Sequence, residues 1–144
     1  MSAIAATQRT VLVVEDSADD LHLLQLALQR FLCPFQFRYV HDGEAAIAYL
    51  EGREPYSDRR ANPFPDLALL DISLPKVDGF ELLEWIRKTP GCESLKVVIW
   101  TGWDYPAYEK RAAELGALQT FLKPSEVSGL KELLAGIARV VGTA

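Results

Sequence analysis

Two short runs in this chain are apolar without any polar alternation: Val11-Leu12-Val13-Val14 and Leu67-Ala68-Leu69-Leu70. A continuous apolar run of this length is what a strand buried on both faces requires. Between and beyond them the pattern alternates between helix and strand. From Ala18 to Leu32, residues Leu21, Leu24, Leu28 and Phe31 recur at spacings of three and four, which predicts a helix that Cys33-Pro34 stops. Phe35–Val40 alternates apolar and polar, as a strand with one partly exposed face does. Asp42-Gly43 turns the chain, and residues 43–52 read as a short helix with Ala46, Ile47 and Leu50 facing inward. Residues 53–65, rich in Pro, Arg, Asp and Asn, predict an exposed loop longer than most such connections.

After Leu67–Leu70 the same reading gives a helix over 80–88 with Leu83 and Ile86 in the core, and a strand over 96–100. A helix over 104–115 tolerates Pro106 only in its first turn. A short strand over 119–122 comes next, then a last helix striped by Val127, Leu130, Leu134, Ile137 and Val141, with Ser125 expected to cap it. Five strands and five helices in strict alternation predict an α/β fold, a parallel sheet with helices on both faces. Residues 1–9 are expected to be a flexible leader and residues 10–144 a single domain with no output domain.

Composition changes this picture little. Hydrophobic residues are 49% of the chain, ample for one packed core. A net charge of −5 argues against a nucleic-acid partner. No apolar run approaches the ~18 residues of a membrane span, and the first residues lack a signal-peptide core, so no membrane association is expected. Cys33 and Cys92 have neither metal-ligand nor CxxC spacing and read as reduced thiols of a cytoplasmic protein.

The chemistry lies at the positions just after each strand. Ligands of open parallel sheets bind beyond the carboxyl ends of the strands. Those positions hold Glu15 and Asp16, then Asp71, then Thr101 and Gly102, then Lys123 and Pro124. Crowded carboxylates are costly unless a hard cation joins them, which points to Mg²⁺, with Asp16 and Asp71 as direct ligands and Glu15 acting through water. Asp71 can also attack phosphorus as a nucleophile. Lys123 offers a point charge, and the Thr101 hydroxyl a donor, to phosphoryl oxygens, while Gly102 leaves the approach open.

Four segments, in order, carry a resemblance. Val-Leu-Val-Val-Glu-Asp-Ser-Ala-Asp-Asp (11–20), Leu-Leu-Asp-Ile-Ser-Leu-Pro-Lys-Val-Asp-Gly (69–79), Thr101-Gly102 and Phe121-Leu122-Lys123-Pro124 are similar to the motifs of two-component response-regulator receiver domains. The resemblance implies the flavodoxin-like (βα)5 fold with strand order 2-1-3-4-5. It implies Asp71 as phosphoacceptor, and Glu15, Asp16, Asp71 and the main-chain carbonyl of Ser73 around Mg²⁺, for which Mn²⁺ or Ca²⁺ substitutes. It also implies Thr101, Gly102 and Lys123 at the phosphoryl group, a cis bond before Pro124, and a histidine kinase as partner. Such a chain is a signalling switch rather than a turnover enzyme. The long loop before the third strand further resembles the stand-alone regulators paired with bacterial and cyanobacterial phytochromes. That implies a light-sensing kinase, and a homodimer through the face made by the fourth helix, fifth strand and fifth helix, with Tyr105, Tyr108 and Phe121 as candidate anchors.

One position departs from the family pattern. Receivers often carry an aromatic switch residue three positions before the lysine; here it is Thr120, with Phe121 one step later and therefore on the other face of the strand. Trp103 is a candidate for shaping the pocket mouth instead. Three other readings fit less well. A haloacid-dehalogenase-type phosphatase wants a second Asp where Ser73 stands. A nucleotide or flavin module wants glycines where residues 15–20 are acidic. A pure scaffold has no use for the complete set Glu15, Asp16, Asp71, Thr101 and Lys123.

Overall fold

The computed structural model describes residues 8–142. Its elements are β1 (Arg9–Val14), α1 (Ala18–Arg30), β2 (Phe35–Val40), α2 (Gly43–Glu51), β3 (Leu67–Leu70), α3 (Gly79–Lys88), β4 (Lys96–Thr101), α4 (Pro106–Glu114), β5 (Gln119–Leu122) and α5 (Lys131–Val141). The strands form one parallel sheet in the order β2-β1-β3-β4-β5, the order expected.

The continuous apolar runs are explained by two separate cores, one on each face of the sheet. Leu12, Val14, Ala68, Leu70, Val97 and Ile99 face α2 and α3. Their strand neighbours Val11, Val13, Leu67, Leu69, Val98 and Trp100 face α1 and α5. Successive side chains of a strand point to opposite faces, so a central strand covered on both must be apolar at every position.

Most of the predicted elements stand, and the differences have local causes. The expected leader through Arg9 lies mainly outside the described residues, but Arg9 itself pairs with Phe35 as the first residue of β1. Helix α1 ends at Arg30, short of Leu32, whose φ of 49° is left-handed backbone. Ser125 does not cap the last helix. A 3-10 turn over Val127–Leu130 comes first, with Gly129 pressed against the Pro124 ring, and α5 starts at Lys131 without a side-chain cap. The bond expected to be cis at Lys123–Pro124 is not; among the described residues the cis bond is Glu54–Pro55. Trans is the intrinsic preference of an X–Pro bond, and from this backbone Lys123 already reaches its carboxylate partners.

The segment between α2 and β3 is more organised than its composition suggests. Arg59 turns back onto the end of α2, donating from Nη1 to the carbonyls of Tyr49 (2.8 Å) and Asn62 (3.1 Å) and from Nη2 to that of Leu50 (3.0 Å). The Tyr49 hydroxyl, on a buried side chain, donates to the Pro63 carbonyl at 2.9 Å. A rigid guanidinium fork can satisfy several carbonyls at a helix C-terminus where a lysine cannot. Arg59→Ala is expected to cost about 2 kcal/mol, read as a lower urea midpoint; an unchanged midpoint would contradict this role.

Candidate functional site at the carboxyl ends of the strands

The site residues hang from backbone bonds that carry the sheet ladder one residue past its formal ends. The Glu15 amide donates to Val40 O (3.0 Å), that of Asp71 to Val14 O (3.1 Å) and that of Lys123 to Thr101 O (2.8 Å). Glu15, Asp71 and Lys123 are thereby brought to one pocket, as the spacing of the motifs predicts. Glu15 is fully buried, Asp71 and Thr101 nearly so, and Asp16 is exposed at the rim.

Lys123 is the hub. Its Nζ lies 2.7 Å from Glu15 Oε1, 2.8 Å from Asp20 Oδ2 and 2.9 Å from Asp71 Oδ2. Below it, the Trp100 ring centroid is 5.2 Å from Nζ, within cation–π range. Burial works against the Lys123 charge, but the contacts with Asp20, Glu15 and Asp71 outweigh it and push its pKa above the ordinary lysine range. The three carboxylates thus favour the ammonium form. Burial, reinforced by the charge of Asp71, pushes the Glu15 carboxyl up to about 7 against the pull of Lys123 and the Ser17 amide.

The other Asp71 oxygen, Oδ1, accepts from the Ser73 amide at 3.1 Å, which fixes the carboxylate plane and the turn that carries the Ser73 carbonyl. That turn is packed tightly. A Cβ on Gly79 would come within 2.3 Å of Asp71 O and 2.7 Å of Ile72 Cα. Helix α3 starts there with a reciprocal capping box between Asp78 and Glu81.

The donor set fits a hard divalent cation. Glu15, Asp16 and Asp71 each offer an oxygen within 4.8 Å of the others'. Glu15 Oε1 is buried without a hydrogen-bond partner beyond its charge contact with Lys123. An all-oxygen, largely carboxylate set suits Mg²⁺, Mn²⁺ or Ca²⁺ and not softer metals.

Thr101 accepts from the Trp103 amide at 3.1 Å, leaving its hydroxyl hydrogen available to a ligand. Nothing lies within 4 Å of a Cβ placed on Gly102, so packing does not demand glycine there and the approach is open. Thr120 lines a pocket of about 190 Å³ with Thr101, Trp103, Tyr105, Tyr108 and Leu122. Trp103 lines the same pocket, tilted against Tyr105 and Tyr108.

Among the candidate anchors of the α4–β5–α5 face, Tyr105 is 56% exposed, whereas Tyr108 packs edge-on against Phe80. Phe121 is turned inward, against the core beside Gly136 of α5. Leu118 and Leu122 are also exposed. Two site residues were missed. Trp100 read only as part of a strand, and Asp20 only as one of an acidic run at the start of α1. The signal for Asp20 was its spacing: it lies one helical turn beyond Asp16, on the turn capped by Ser17, whose Oγ accepts from the Asp20 amide at 3.2 Å.

The chain is similar to several known proteins. Response regulator Rcp1 of Synechocystis sp. is 36% identical over 101 residues, covering 70% of this chain and 67% of Rcp1. The crystal structure of the Mn²⁺-bound form of Rcp1 superposes with a TM-score of 0.77 at 31% identity, over 90% of this chain and 91% of the other. That of the phosphorylated cyanobacterial phytochrome response regulator RcpA gives 0.82 at 30% identity, over 96% and 97%. Some relatives are far longer: a probable cyclic di-GMP phosphodiesterase of Vibrio cholerae is 30% identical over 132 residues, 91% of this chain, which spans only 27% of that protein. Residues 11–135 match the response regulator receiver domain as a family, and with the fold and the pocket in agreement this chain belongs to that family.

Proposed function

We propose that this chain is a receiver-domain response regulator whose Asp71 takes a phosphoryl group from the phosphohistidine of a sensor kinase. The observation that carries the reading is the pocket itself: a nearly buried Asp71 carboxylate held at both oxygens, by Lys123 Nζ at 2.9 Å and the Ser73 amide at 3.1 Å, beside the acidic pair Glu15 and Asp16. A lone pair of the Asp71 carboxylate attacks phosphorus, the phosphorus–nitrogen bond breaks, and its electron pair leaves on the kinase histidine. Lys123 faces the incoming negative charge, and the free hydroxyl hydrogen of Thr101 and the open side of Gly102 give phosphoryl oxygens a donor and room.

Glu15, Asp16, Asp71 and the Ser73 carbonyl would hold Mg²⁺, which when bound offsets the repulsion between carboxylate and phosphoryl group. Mn²⁺ or Ca²⁺ is expected to substitute, and the Mn²⁺-bound form of the relative Rcp1 supports a divalent site. The likeness to Rcp1 and RcpA favours a phytochrome-type kinase in the cytoplasm as the partner. Output then passes through protein contacts, including a homodimer on the α4–β5–α5 face, where Trp103, Tyr105 and Leu122 are exposed.

Incubation with acetyl phosphate, with and without Mg²⁺, tests the central claim on a Phos-tag gel. A retarded band that needs the metal is the expected result. Identical mobility in both lanes, and with a histidine kinase as donor, overturns it.

A further inference from the structure

Asp20 is the one carboxylate of the pocket that phosphoryl acceptance at Asp71 does not use. It sits in the first turn of α1 with its side chain 26% exposed, and its contact with Lys123 Nζ, at 2.8 Å, lies between those of Glu15 (2.7 Å) and Asp71 (2.9 Å). An ammonium has three N–H donors, and here three carboxylates surround it. Two of them have other work. Glu15 and Asp71 both belong to the cluster that fits a cation, and Asp71 is also the point of phosphoryl attachment. Asp20 belongs to neither.

It is therefore the partner that Lys123 retains when the other two are engaged. A lysine head released from its partners regains rotamer freedom, which must be lost again if it is to meet a phosphoryl oxygen. Between the Asp20 carboxylate and the face of Trp100, the head stays ordered over the pocket.

We propose that Asp20 is a positioning residue that anchors the Lys123 ammonium for contact with the phosphoryl group on Asp71. This rests on the receiver reading of the site. The test uses Asp20→Ala, which removes the anchor and keeps a strong helix former in α1. Beryllofluoride serves as the acyl-phosphate mimic, with Mg²⁺ present and tryptophan emission as the signal. Beryllofluoride affinity is expected to fall about tenfold, while Mg²⁺ affinity measured alone changes less than about threefold, since Asp20 lies outside the cation cluster. Equal losses for both ligands would mean a general charge effect, and unchanged or tighter beryllofluoride binding would mean no anchoring; either overturns the proposal.

A second measurement needs no metal. In a Trp85→Phe, Trp103→Phe background only Trp100 emits, and its emission reports the ammonium 5.2 Å from the ring. Asp20→Ala is expected to shift that emission when Lys123 is present and to leave it unchanged in a Lys123→Ala chain. An equal shift in both chains shows that Asp20 does not act through Lys123. Wild-type protein that binds no beryllofluoride at all sinks the receiver reading, an outcome distinct from normal wild-type binding with an unaffected variant.

Discussion

Asp71→Asn is expected to abolish phosphoryl uptake, with incorporation from acetyl phosphate falling by at least about a hundredfold, because the amide oxygen is a poor nucleophile. The fold should be untouched. Asn is the same size, Oδ1 can still accept from the Ser73 amide, and the substitution removes a negative charge that sits with Glu15 beside a single ammonium. Two like charges in a low-dielectric pocket repel, so the metal-free variant should melt no lower than the parent and up to a few degrees higher. The pairing of lost phosphorylation with retained or raised stability separates a functional carboxylate from a structural one. A Phos-tag gel and a melting curve on the same sample check it. A variant that still gives a retarded band would move the acceptor elsewhere.

Gly79→Ala is expected to damage both stability and function. Its backbone φ is not in the left-handed range, so conformational strain is not the cause. The cause is contact: the added methyl would lie 2.3 Å from Asp71 O, 2.7 Å from Ile72 Cα and 3.0 Å from Asp71 C. These are backbone atoms of the very turn that holds Asp71, and none can swing aside as a side-chain tip would. Overpacking costs roughly 1–3 kcal/mol even where side chains can yield. With backbone on the other side the loss should reach about 3 kcal/mol, or a melting temperature lower by roughly 10 °C. Relief requires either Asp71 or the start of α3 to shift, so phosphorylation should slow as well. Gly102→Ala is the natural control, since a Cβ there meets nothing within 4 Å. If Gly79→Ala melts like Gly102→Ala, the close approach is not real.

The parts of this molecule that could be read from its residues are those set by periodicity and by chemistry crowded into one place. β2 and β3 begin and end where alternation or continuous apolarity begins and ends. The pocket was legible because Glu15, Asp71, Thr101 and Lys123 each stand at the end of a strand, and a parallel sheet puts all such positions on one side. Other features depend on where the chain goes next, which local pattern does not encode. Helix α1 stops two residues early because Leu32 enters left-handed backbone before Cys33-Pro34 is reached. The cap expected at Ser125 is absent because Gly129 lets a 3-10 turn close onto Pro124. Asp20 gains its meaning only from a lysine 103 positions away in the chain. Arg59 likewise looks like a solvated loop charge until α2 presents it with open carbonyls.

The backbone bonds from Glu15, Asp71 and Lys123 into the sheet have a mechanical consequence. Charge added at Asp71 lands on a floor as stiff as the centre of the molecule, since its amide is tied to Val14 O in the same ladder that runs through the core. The floor cannot give, so displacement must be taken up by the rim: the Ile72–Asp78 turn and the Gly102–Tyr105 stretch, neither of which is held by strand pairing. Amides of the floor should exchange with solvent at the slow rate of the whole domain opening, and those of the rim much faster. The pocket thus behaves as an anvil with a pliant collar, and the collar, where Trp103 and Tyr105 stand exposed, is the part a passing partner would touch.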